Sequence, residues 1–261
     1  MSTYKFLKLE IGQGIGRITL NRPEVYNAFN DGLSYELQGA LKEVKKSNRV
    51  RVVVLTGEGK AFCSGQDLKA SSKEETRSFS ESLHKRYNPI IRGIRNMPKP
   101  VICRLNGVAA GAGCSLALAC DLIIASKEAT LIEVFINIGL VLDSGSSYFL
   151  PRILGSARSF EISTMGSKVS AQQAFDWGLV NQVVDANELD SAIERYTRYF
   201  ATAPTKAIGL IKKMLNRSFT ASLEDTLDYE AYCQEIAGRS KDYQEGLKAF
   251  IEKRRPKFVG E

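Results

Sequence analysis

The chain has 261 residues, 44% of them hydrophobic and 25% charged, with a formal net charge of +7. This composition is typical of a globular protein, and the length allows one large domain or one domain with a small appendage. No uncharged apolar run is long enough to cross a bilayer, and the N-terminus lacks the apolar segment of a secretory signal, so we expect a cytoplasmic protein.

The first predicted elements are strands. Residues 4–11, "YKFLKLEI", alternate apolar and polar side chains, and "RITLNRP" at 17–23 reads as a second strand. Between them, "GQGIG" resembles a dinucleotide-binding loop, but a strand rather than a helix follows, which favours a hairpin turn. A helix is expected to begin after Asn30, a good N-cap residue, with its apolar residues on one face. The β-branched run at 50–59 indicates a strand covered on both sides.

The middle of the chain repeats this alternation. Residues 69–80 are polar and serine-rich, which indicates a mobile loop leading into a helix at about 80–96. "KPVICRLNGVAAGAG" at 99–113 predicts a buried strand followed by a turn of small residues. "CSLALACD" at 114–121 then predicts a short helix, and "LIIAS" at 122–126 another strand. From residue 155 onward the chain is predicted to be helical, which makes the whole an α/β core followed by a helical C-terminal region.

The net charge and the cysteine content limit the classes of ligand and metal that the protein is expected to bind. The net charge of +7 fits nucleic acid, a phosphate-bearing small molecule or a solvated basic face. The one dense basic cluster, "KRRPKF" at 253–258, is too small for strong nucleic-acid binding, so no nucleic-acid partner is expected. The five cysteines lack metal-ligand spacing and are expected to be reduced thiols. His84 is the single histidine, so a histidine-rich zinc site is excluded and no metal is predicted.

Two glycine-bearing turns are candidates for a functional site: "GKAFCSGQDLK" at 59–69 and "NGVAAGAGCSLAL" at 106–118. In each, a buried strand ends in small residues and a helix is expected to follow. Free backbone N–H groups at such turns stabilise an oxyanion or enolate, by about 2.7–4 kcal/mol per donor in known cases. Tight packing of strand against helix is the alternative explanation for the glycines.

Asp143 is a lone acid in the otherwise apolar stretch "GLVLDSGSSYFLPRI" at 139–153. Its carboxylate could accept N–H bonds from the serines that follow, forming an Asx-turn. It could instead be a catalytic base whose pKa is raised by an apolar pocket. The local sequence leaves both open, and the two N–H turns elsewhere in the chain favour the base.

Six segments, in order and at familiar intervals, resemble the crotonase (enoyl-CoA hydratase/isomerase) superfamily. They are "NRPEVYNAFN" at 21–30, "GKAFCSGQDL" at 59–68, "KPVICRLNGVAAGAG" at 99–113, "ACDLIIAS" at 119–126, "AFDWGLVNQVV" at 174–184 and "EGLKAFIEKRRPKF" at 245–258. The resemblance implies an α/β fold, a spiral of ββα units, with an acyl-CoA core at 1–190. It also implies a C-terminal helical region at 191–261 that builds a homotrimer or hexamer. Coenzyme A would be part of the substrate, with no separate cofactor.

The same resemblance assigns roles to individual residues. The oxyanion donors would be the backbone N–H groups of Cys63 and Ala112. Lys253 would lie near the CoA phosphates, from an adjacent subunit. The residues implied to line or adjoin the adenine site are Ala61, Gln66, Asp67, Leu68 and Val25.

The acids of the site indicate the reaction. Hydratases of the superfamily carry two glutamates, and the matching positions here hold Ser115 and Phe135, with Glu133 two residues out of place. Since water addition needs a general base and a general acid, hydration is not expected. Asp143 matches the single acid of members that shift double bonds, and the nearest resemblance is to the phenylacetate-pathway isomerases. Leu142 and Ser146 depart from that pattern, where a proline and a glycine are usual.

The sequence therefore predicts an enoyl-CoA isomerase, with a ring epoxide of phenylacetyl-CoA as a further substrate. Two alternatives stay open at this point. One is a hydratase with an atypical acid set, and the other is a non-catalytic member that binds acyl-CoA or RNA.

Overall fold

The computed structural model describes residues 4–68 and 78–261, and within them the chain forms two β-sheets with helices packed around them. The predicted loop at 69–80 lies, for residues 69–77, outside the described residues. The strands are β1 Leu7–Gly12, β2 Ile15–Leu20, β3 Val52–Gly57, β4 Ala61–Cys63, β5 Val101–Leu105, β6 Val108–Ala110, β7 Leu122–Ser126, β8 Thr130–Ile132, β9 Lys168–Ser170 and β10 Gln182–Val184.

Helices lie between the strands in the first part of the chain and succeed one another after β10. In the described ranges, short 3₁₀ segments lie at Pro23–Val25, Val134–Ile138 and Ala186–Glu188. Helix α2 is continuous through Phe79–Ser82, a π-helical turn at Leu83–Tyr87 and Asn88–Arg95. The other helices are α1 Asp31–Lys46, α3 Ala112–Leu118, α4 Ser146–Met165, α5 Ala171–Asp176, α6 Leu189–Thr202, α7 Thr205–Arg217, α8 Leu223–Gly238 and α9 Lys241–Ile251.

From β3 to β8, the strands alternate between the two sheets along the chain. The six-stranded sheet has the order β1-β2-β3-β5-β7-β10, and the four-stranded sheet has the order β4-β6-β8-β9. Each of β3, β5 and β7 in the larger sheet is followed by a short strand in the smaller one and then by a helix. The neighbours β2-β3, β3-β5 and β5-β7 are parallel, as are β4-β6 and β6-β8. This repetition confirms the predicted ββα units.

Local sequence signals place several elements correctly. The β1-β2 hairpin turns at Gln13 and Gly14, which both have positive φ (52° and 80°), as the sequence predicted for "GQGIG". Helix α1 begins after Asn30, whose side-chain oxygen accepts a hydrogen bond from the Leu33 N–H at 2.8 Å. The predicted helix at 80–96 corresponds to α2.

The continuous apolar run in β3 reflects burial on both faces. Val53 and Leu55 belong to the main core, whereas Val52 and Val54 form a second cluster with Leu189 and other residues of α6. Because α6 covers the outer face of the larger sheet, the predicted domain boundary at 190/191 falls inside a core helix. That boundary is corrected: residues 189–202 pack with the α/β part.

Two other expectations are corrected by strands of only three residues. "NGVAAGAG" was expected to be a turn, but Val108–Ala110 in it forms β6, and Ala61–Cys63 similarly forms β4. The region after residue 155 is not wholly helical, because β9 and β10 lie within it, and α4 begins earlier, at Ser146. Three residues are too few to display a period of two, so pairing with distant strands determines them.

The C-terminal helices leave apolar side chains exposed in the single chain. Leu223 and Leu227 on α8 and Phe250 and Ile251 on α9 are among them. The predicted assembly into trimers or hexamers stays a prediction. Across the described ranges, no helix combines the length and the apolar character needed to span a membrane.

Candidate active site

A cavity of about 470 Å³ opens between the ends of the short strands and α2. Its wall is mostly apolar, with a few polar groups from separate parts of the chain. Its lining residues are Ser64, Gly65, Gln66, Leu68, Phe79, Ser82, Leu83, Arg86, Tyr87, Gly111, Ala112, Val134, Phe135, Ile138, Leu140 and Asp143. A mostly apolar cavity with a few converging polar groups is the usual form of a small-molecule site.

The two glycine turns meet in the wall of this cavity. Gly65 has φ +92°, and a Cβ on it would lie 2.8 Å from the Ala110 carbonyl oxygen and 3.5 Å from the Ala112 nitrogen. A Cβ on Gly113 would lie 2.0 Å from the Cys63 carbonyl oxygen. Both glycines are therefore needed for the close approach of the turns, since any side chain would push them apart.

The contact between the turns brings two unpaired backbone N–H groups together. Ala112 is the first residue of α3, so its N–H has no acceptor within the helix. Gln66 forms a parallel bridge with Phe29, in which the Phe29 N–H binds the Gly65 carbonyl at 2.7 Å and the Asp67 N–H binds the Phe29 carbonyl at 2.9 Å. This bridge leaves the Gln66 N–H outside the pairing. Within residues 4–68 and 78–261, neither the Gln66 nor the Ala112 N–H has an acceptor, and both residues line the cavity.

The expectation for Cys63 is corrected. Cys63 is fully buried in β4, paired with Ala109, and does not line the cavity. Its thiol donates to the Asn27 carbonyl at 3.2 Å, and burial raises its pKa to about 12. Among the described residues, Gln66 lines the cavity and has an N–H without an acceptor, three residues after Cys63, because the strand must end and the chain must turn at Gly65 before an N–H is free. Ala112 lies in the cavity wall, where the sequence placed it.

Asp143 lies in the cavity wall in the loop before α4. Its Oδ1 is buried and has no hydrogen-bond partner in the part of the chain that the structure describes. Burial raises the pKa of Asp143, and the nearby Ser144 hydroxyl offsets this in part. The Asx-turn alternative does not fit, because the Ser146 N–H binds the main-chain carbonyl of Asp143, at 3.1 Å, and not its carboxylate. A buried acid with one unpartnered oxygen in a mostly apolar cavity is the arrangement expected of a base.

The two positions that hold glutamates in hydratases carry no acid here. Phe135 lines the cavity, and Ser115 is fully buried in α3 beneath it. Glu133 is 2% exposed, and its Oε1 lies 2.8 Å from the Ser146 hydroxyl. Burial raises the pKa of Glu133 to about 7. Glu133 does not line the cavity, so Asp143 is the one carboxylate in the described wall.

Only part of the predicted adenine site lines the cavity. Gln66 and Leu68 do, whereas Val25, Ala61 and Asp67 belong to neighbouring segments of the same chain that do not line it. Ala61 is buried in β4, where its carbonyl accepts a hydrogen bond from Asn27 Nδ2 at 2.8 Å. Asp67 pairs with Arg22 at 3.0 Å. Adenine binding at these residues stays a prediction.

Lys253 lies apart from this cavity in its own chain. It follows α9 as an exposed residue with φ +52° and is not among the residues of the wall. The sequence predicted that a neighbouring subunit would place this lysine at the CoA phosphates. That role also stays a prediction.

Arg86 is a site residue that the sequence did not indicate. It is 6% exposed, lines the cavity, and pairs through Nη1 with Asp31 at 2.6 Å and through Nη2 with the Ser82 hydroxyl. The hydroxyl of the neighbouring Tyr87 donates a hydrogen bond to Gln66 Oε1. Both residues lie in the π-helical turn of α2, which shifts the helical register. A helical projection of the sequence therefore does not show that they face the cavity.

Comparison with known proteins agrees with this arrangement. A model of the enoyl-CoA hydratase/isomerase family matches residues 10–261. The chain belongs to the enoyl-CoA hydratase/isomerase family. It is 42% identical over 259 residues to the 1,2-epoxyphenylacetyl-CoA isomerase of Escherichia coli K12, covering 98% of this chain and 99% of that protein. It is 37% identical over 258 residues to a probable enoyl-CoA hydratase of Rhodobacter capsulatus, covering 99% of each.

Solved structures of this family share the fold. A putative enoyl-CoA hydratase/isomerase from Mycobacterium abscessus superposes with a TM-score of 0.93 at 34% identity, covering 98% of this chain and 100% of that one. An enoyl-CoA hydratase from Bacillus anthracis gives a TM-score of 0.92 at 32% identity, with the same coverage. The family and the fold predicted from the sequence are confirmed. Both hydratases and isomerases occur among the relatives, so the reaction has to be argued from the site.

Proposed function

We propose that this family member is an acyl-CoA isomerase that shifts the double bond of an enoyl-CoA thioester. Asp143 is the base, and the N–H groups of Gln66 and Ala112 form the oxyanion site. The observation that carries the proposal is that a buried carboxylate oxygen, Asp143 Oδ1, and two backbone N–H groups lie in the same cavity wall, all without hydrogen-bond partners among the described residues. Coenzyme A is part of the substrate, and the reaction needs no separate cofactor or metal.

One carboxylate is sufficient for this reaction. Ionised Asp143 removes a proton from the carbon α or γ to the thioester carbonyl, and the electron pair moves onto the carbonyl oxygen as a dienolate. The two N–H groups stabilise that oxygen by hydrogen bonds that strengthen as its charge develops. The protonated acid then returns the proton to the other end of the allyl system. A mostly apolar cavity favours this cycle, because burial makes the carboxylate a stronger base.

A ring epoxide of phenylacetyl-CoA is the second candidate substrate. It is favoured by the 42% identity to the Escherichia coli isomerase and by the Tyr87 and Phe135 rings in the cavity wall. The buried guanidinium of Arg86 adds a polar group at the same wall. The non-catalytic alternative is less well supported, since burying a carboxylate oxygen without a partner costs free energy and contributes nothing to binding alone.

The test is to give the purified protein 2-enoyl-, 3-enoyl- and phenylacetyl-epoxide-CoA thioesters and identify the products by mass spectrometry and NMR. Interconversion of 2-enoyl- and 3-enoyl-CoA, without gain of water, is the expected result. Binding of these thioesters without turnover would support the non-catalytic alternative.

Hydration of crotonyl-CoA is expected to be at least about a hundredfold slower than isomerisation, because the acids that would handle the water protons are missing. Ser115 and Phe135 occupy their positions, and Glu133 lies behind the wall. The measurement is the rate of 3-hydroxybutyryl-CoA formation, with an authentic hydratase as positive control. Hydration as fast as isomerisation would make the protein a hydratase, with Glu133 the first residue to examine.

Lys253→Ala is expected to weaken acyl-CoA binding without changing the assembly, because a neighbouring subunit's lysine would contact the CoA phosphates. The loss should shrink at high salt and with dephospho-CoA thioesters, since attraction to phosphate is what disappears. Calorimetric titration and light scattering measure the two properties, and Lys42→Ala, an exposed lysine on α1, is the matched control. A fully active monomer would rule out a site shared between subunits.

A further inference from the structure

A row of buried oxygen atoms connects Glu133 to the backbone of Asp143. Glu133 Oε1 lies 2.8 Å from Ser146 Oγ, which lies 2.7 Å from Ser115 Oγ. Ser115 Oγ in turn lies 3.0 Å from the main-chain carbonyl oxygen of Asp143. Ser115 and Ser146 are 0% exposed and Glu133 is 2% exposed, and each pair of oxygens lies within direct hydrogen-bond distance, which leaves no room for a water between them. All three links must therefore be filled by the protons of the three side chains.

Counting protons decides which form of Glu133 fits. The row has three links, and the two serine hydroxyls supply one proton each. If Glu133 is ionised, two protons must serve three links, and one pair of oxygens faces each other without a hydrogen. If Glu133 is the neutral acid, it donates to Ser146, Ser146 donates to Ser115, and Ser115 donates to the Asp143 carbonyl. Only the neutral form satisfies every contact.

The other acceptor near Ser115 does not change this count. The Gly111 carbonyl oxygen is 3.3 Å from Ser115 Oγ, but it already accepts the Ser115 N–H at 3.0 Å. The Asp143 carbonyl is the nearer of the two carbonyls to the hydroxyl. It also accepts a hydrogen bond from the Ser146 N–H at 3.1 Å. Both serines therefore bind the same carbonyl oxygen in the loop before α4 that carries Asp143, which we call the Asp143 loop.

The surroundings of Glu133 favour the neutral acid as well. Its Oε2 has no hydrogen-bond partner within the described residues, and Leu131, Leu150 and Ile162 line a small void beside it. The titratable groups that act on it are the Cys114 thiol of α3, which lowers its pKa, and the Asp143 carboxylate, which raises it. Burial outweighs the hydrogen bonds and raises the pKa of Glu133 to about 7.

We propose that Glu133 is a positioning residue that acts as a neutral acid, holding the Asp143 loop in the cavity wall through Ser146 and Ser115. When Glu133 loses its proton, the direction of the row reverses: Ser115 donates to Ser146, and Ser146 donates to Glu133. The Asp143 carbonyl then loses the Ser115 hydrogen bond, and the loop that carries the base is held less firmly. The inference rests on the proposed role of Asp143 as the base.

The first test compares the pH dependence of kcat for double-bond isomerisation in three proteins, over about two pH units on each side of 7. In the unmodified protein, kcat is expected to fall by about tenfold above neutral pH, the rate equivalent of one hydrogen bond. Glu133→Gln should lose this decline and keep kcat within about threefold of its low-pH value, because the amide donates to Ser146 at every pH. Glu133→Met, without a donor, should have the lower kcat throughout, with KM unchanged.

A double mutant separates positioning from packing. Ser146→Ala breaks the row, so Glu133→Gln should have no further effect on the pH profile in that background. An unmodified protein whose kcat does not decline, or a Glu133→Gln variant that keeps the decline, would overturn the proposal. Equal loss of kcat in the Gln and Met variants would do the same, since packing alone would then explain Glu133.

A second readout does not depend on catalysis. Infrared difference spectra between Glu133→Gln and the unmodified protein, without substrate, should show the C=O stretch of a protonated carboxylic acid below neutral pH and its loss above. Absence of that band overturns the proposal whatever the activity. If the band is present but no thioester is isomerised, the assignment of Asp143 has failed, while the protonation state of Glu133 has been confirmed.

Discussion

Asp143→Asn is expected to lower kcat for double-bond isomerisation by at least about a hundredfold, the scale of a lost general base. Asparagine has the shape of aspartate, so the cavity keeps its form, but the amide cannot accept and return the proton. Acyl-CoA affinity should be unchanged, because the two N–H donors and the apolar wall remain. Single-turnover kinetics and calorimetric titration measure the two effects, and Asp228→Asn, an exposed acid on α8, is the control.

The same substitution carries a prediction for stability that distinguishes a base from a structural acid. The pKa of Asp143 is higher in the folded chain than in the unfolded chain, so folding favours the protonated acid. The stability that this provides is complete below the pKa of the unfolded chain and is lost as pH rises through the pKa of the folded chain. Asparagine stays neutral, so the variant should be at least as stable as the unmodified protein at neutral pH. Urea unfolding measures this. Near-normal turnover would remove Asp143 from the mechanism, and a large loss of stability would indicate a structural role.

Gly65→Ala is expected to lower kcat by about 10²–10³, the cost of losing one oxyanion donor. Its Cβ would lie 2.8 Å from the Ala110 carbonyl, so the turn must move away from Ala112, and the Gln66 N–H moves with it. The residue also has φ +92°, where any side chain is strained, so some loss of stability accompanies the change.

Gly155→Ala separates strain from displacement. Gly155 has a similar φ of +74°, lies at the kink that interrupts α4, and would place its Cβ in open space. Gly155→Ala should therefore lose about 1–3 kcal/mol of stability but little activity. If both variants lose kcat alike, general destabilisation explains the effect, and the Gln66 N–H is not a donor to the substrate. Steady-state kinetics and thermal unfolding of the pair decide this.

The sequence alone predicted what depends on neighbouring residues along the chain. The hydrophobic pattern predicted β1, β2 and β3, and the Asn30 cap predicted the start of α1. Asp143 was also identified, because one acid between apolar runs is visible without coordinates. These signals are local: a period of two or 3.6, a capping side chain, an isolated charge.

Tertiary structure alone decided the features that join distant segments. Gln66, rather than Cys63, presents its N–H because a bridge to Phe29 sets the orientation of that turn. Arg86 faces the cavity because of a π-helical turn that no periodicity reveals. The row from Glu133 through Ser146 and Ser115 joins three segments of the chain. The requirement that Glu133 be protonated arises only because folding brings these oxygens within hydrogen-bond distance. The chain encodes each of these side chains, but their chemistry depends on burial and distance, which only folding establishes.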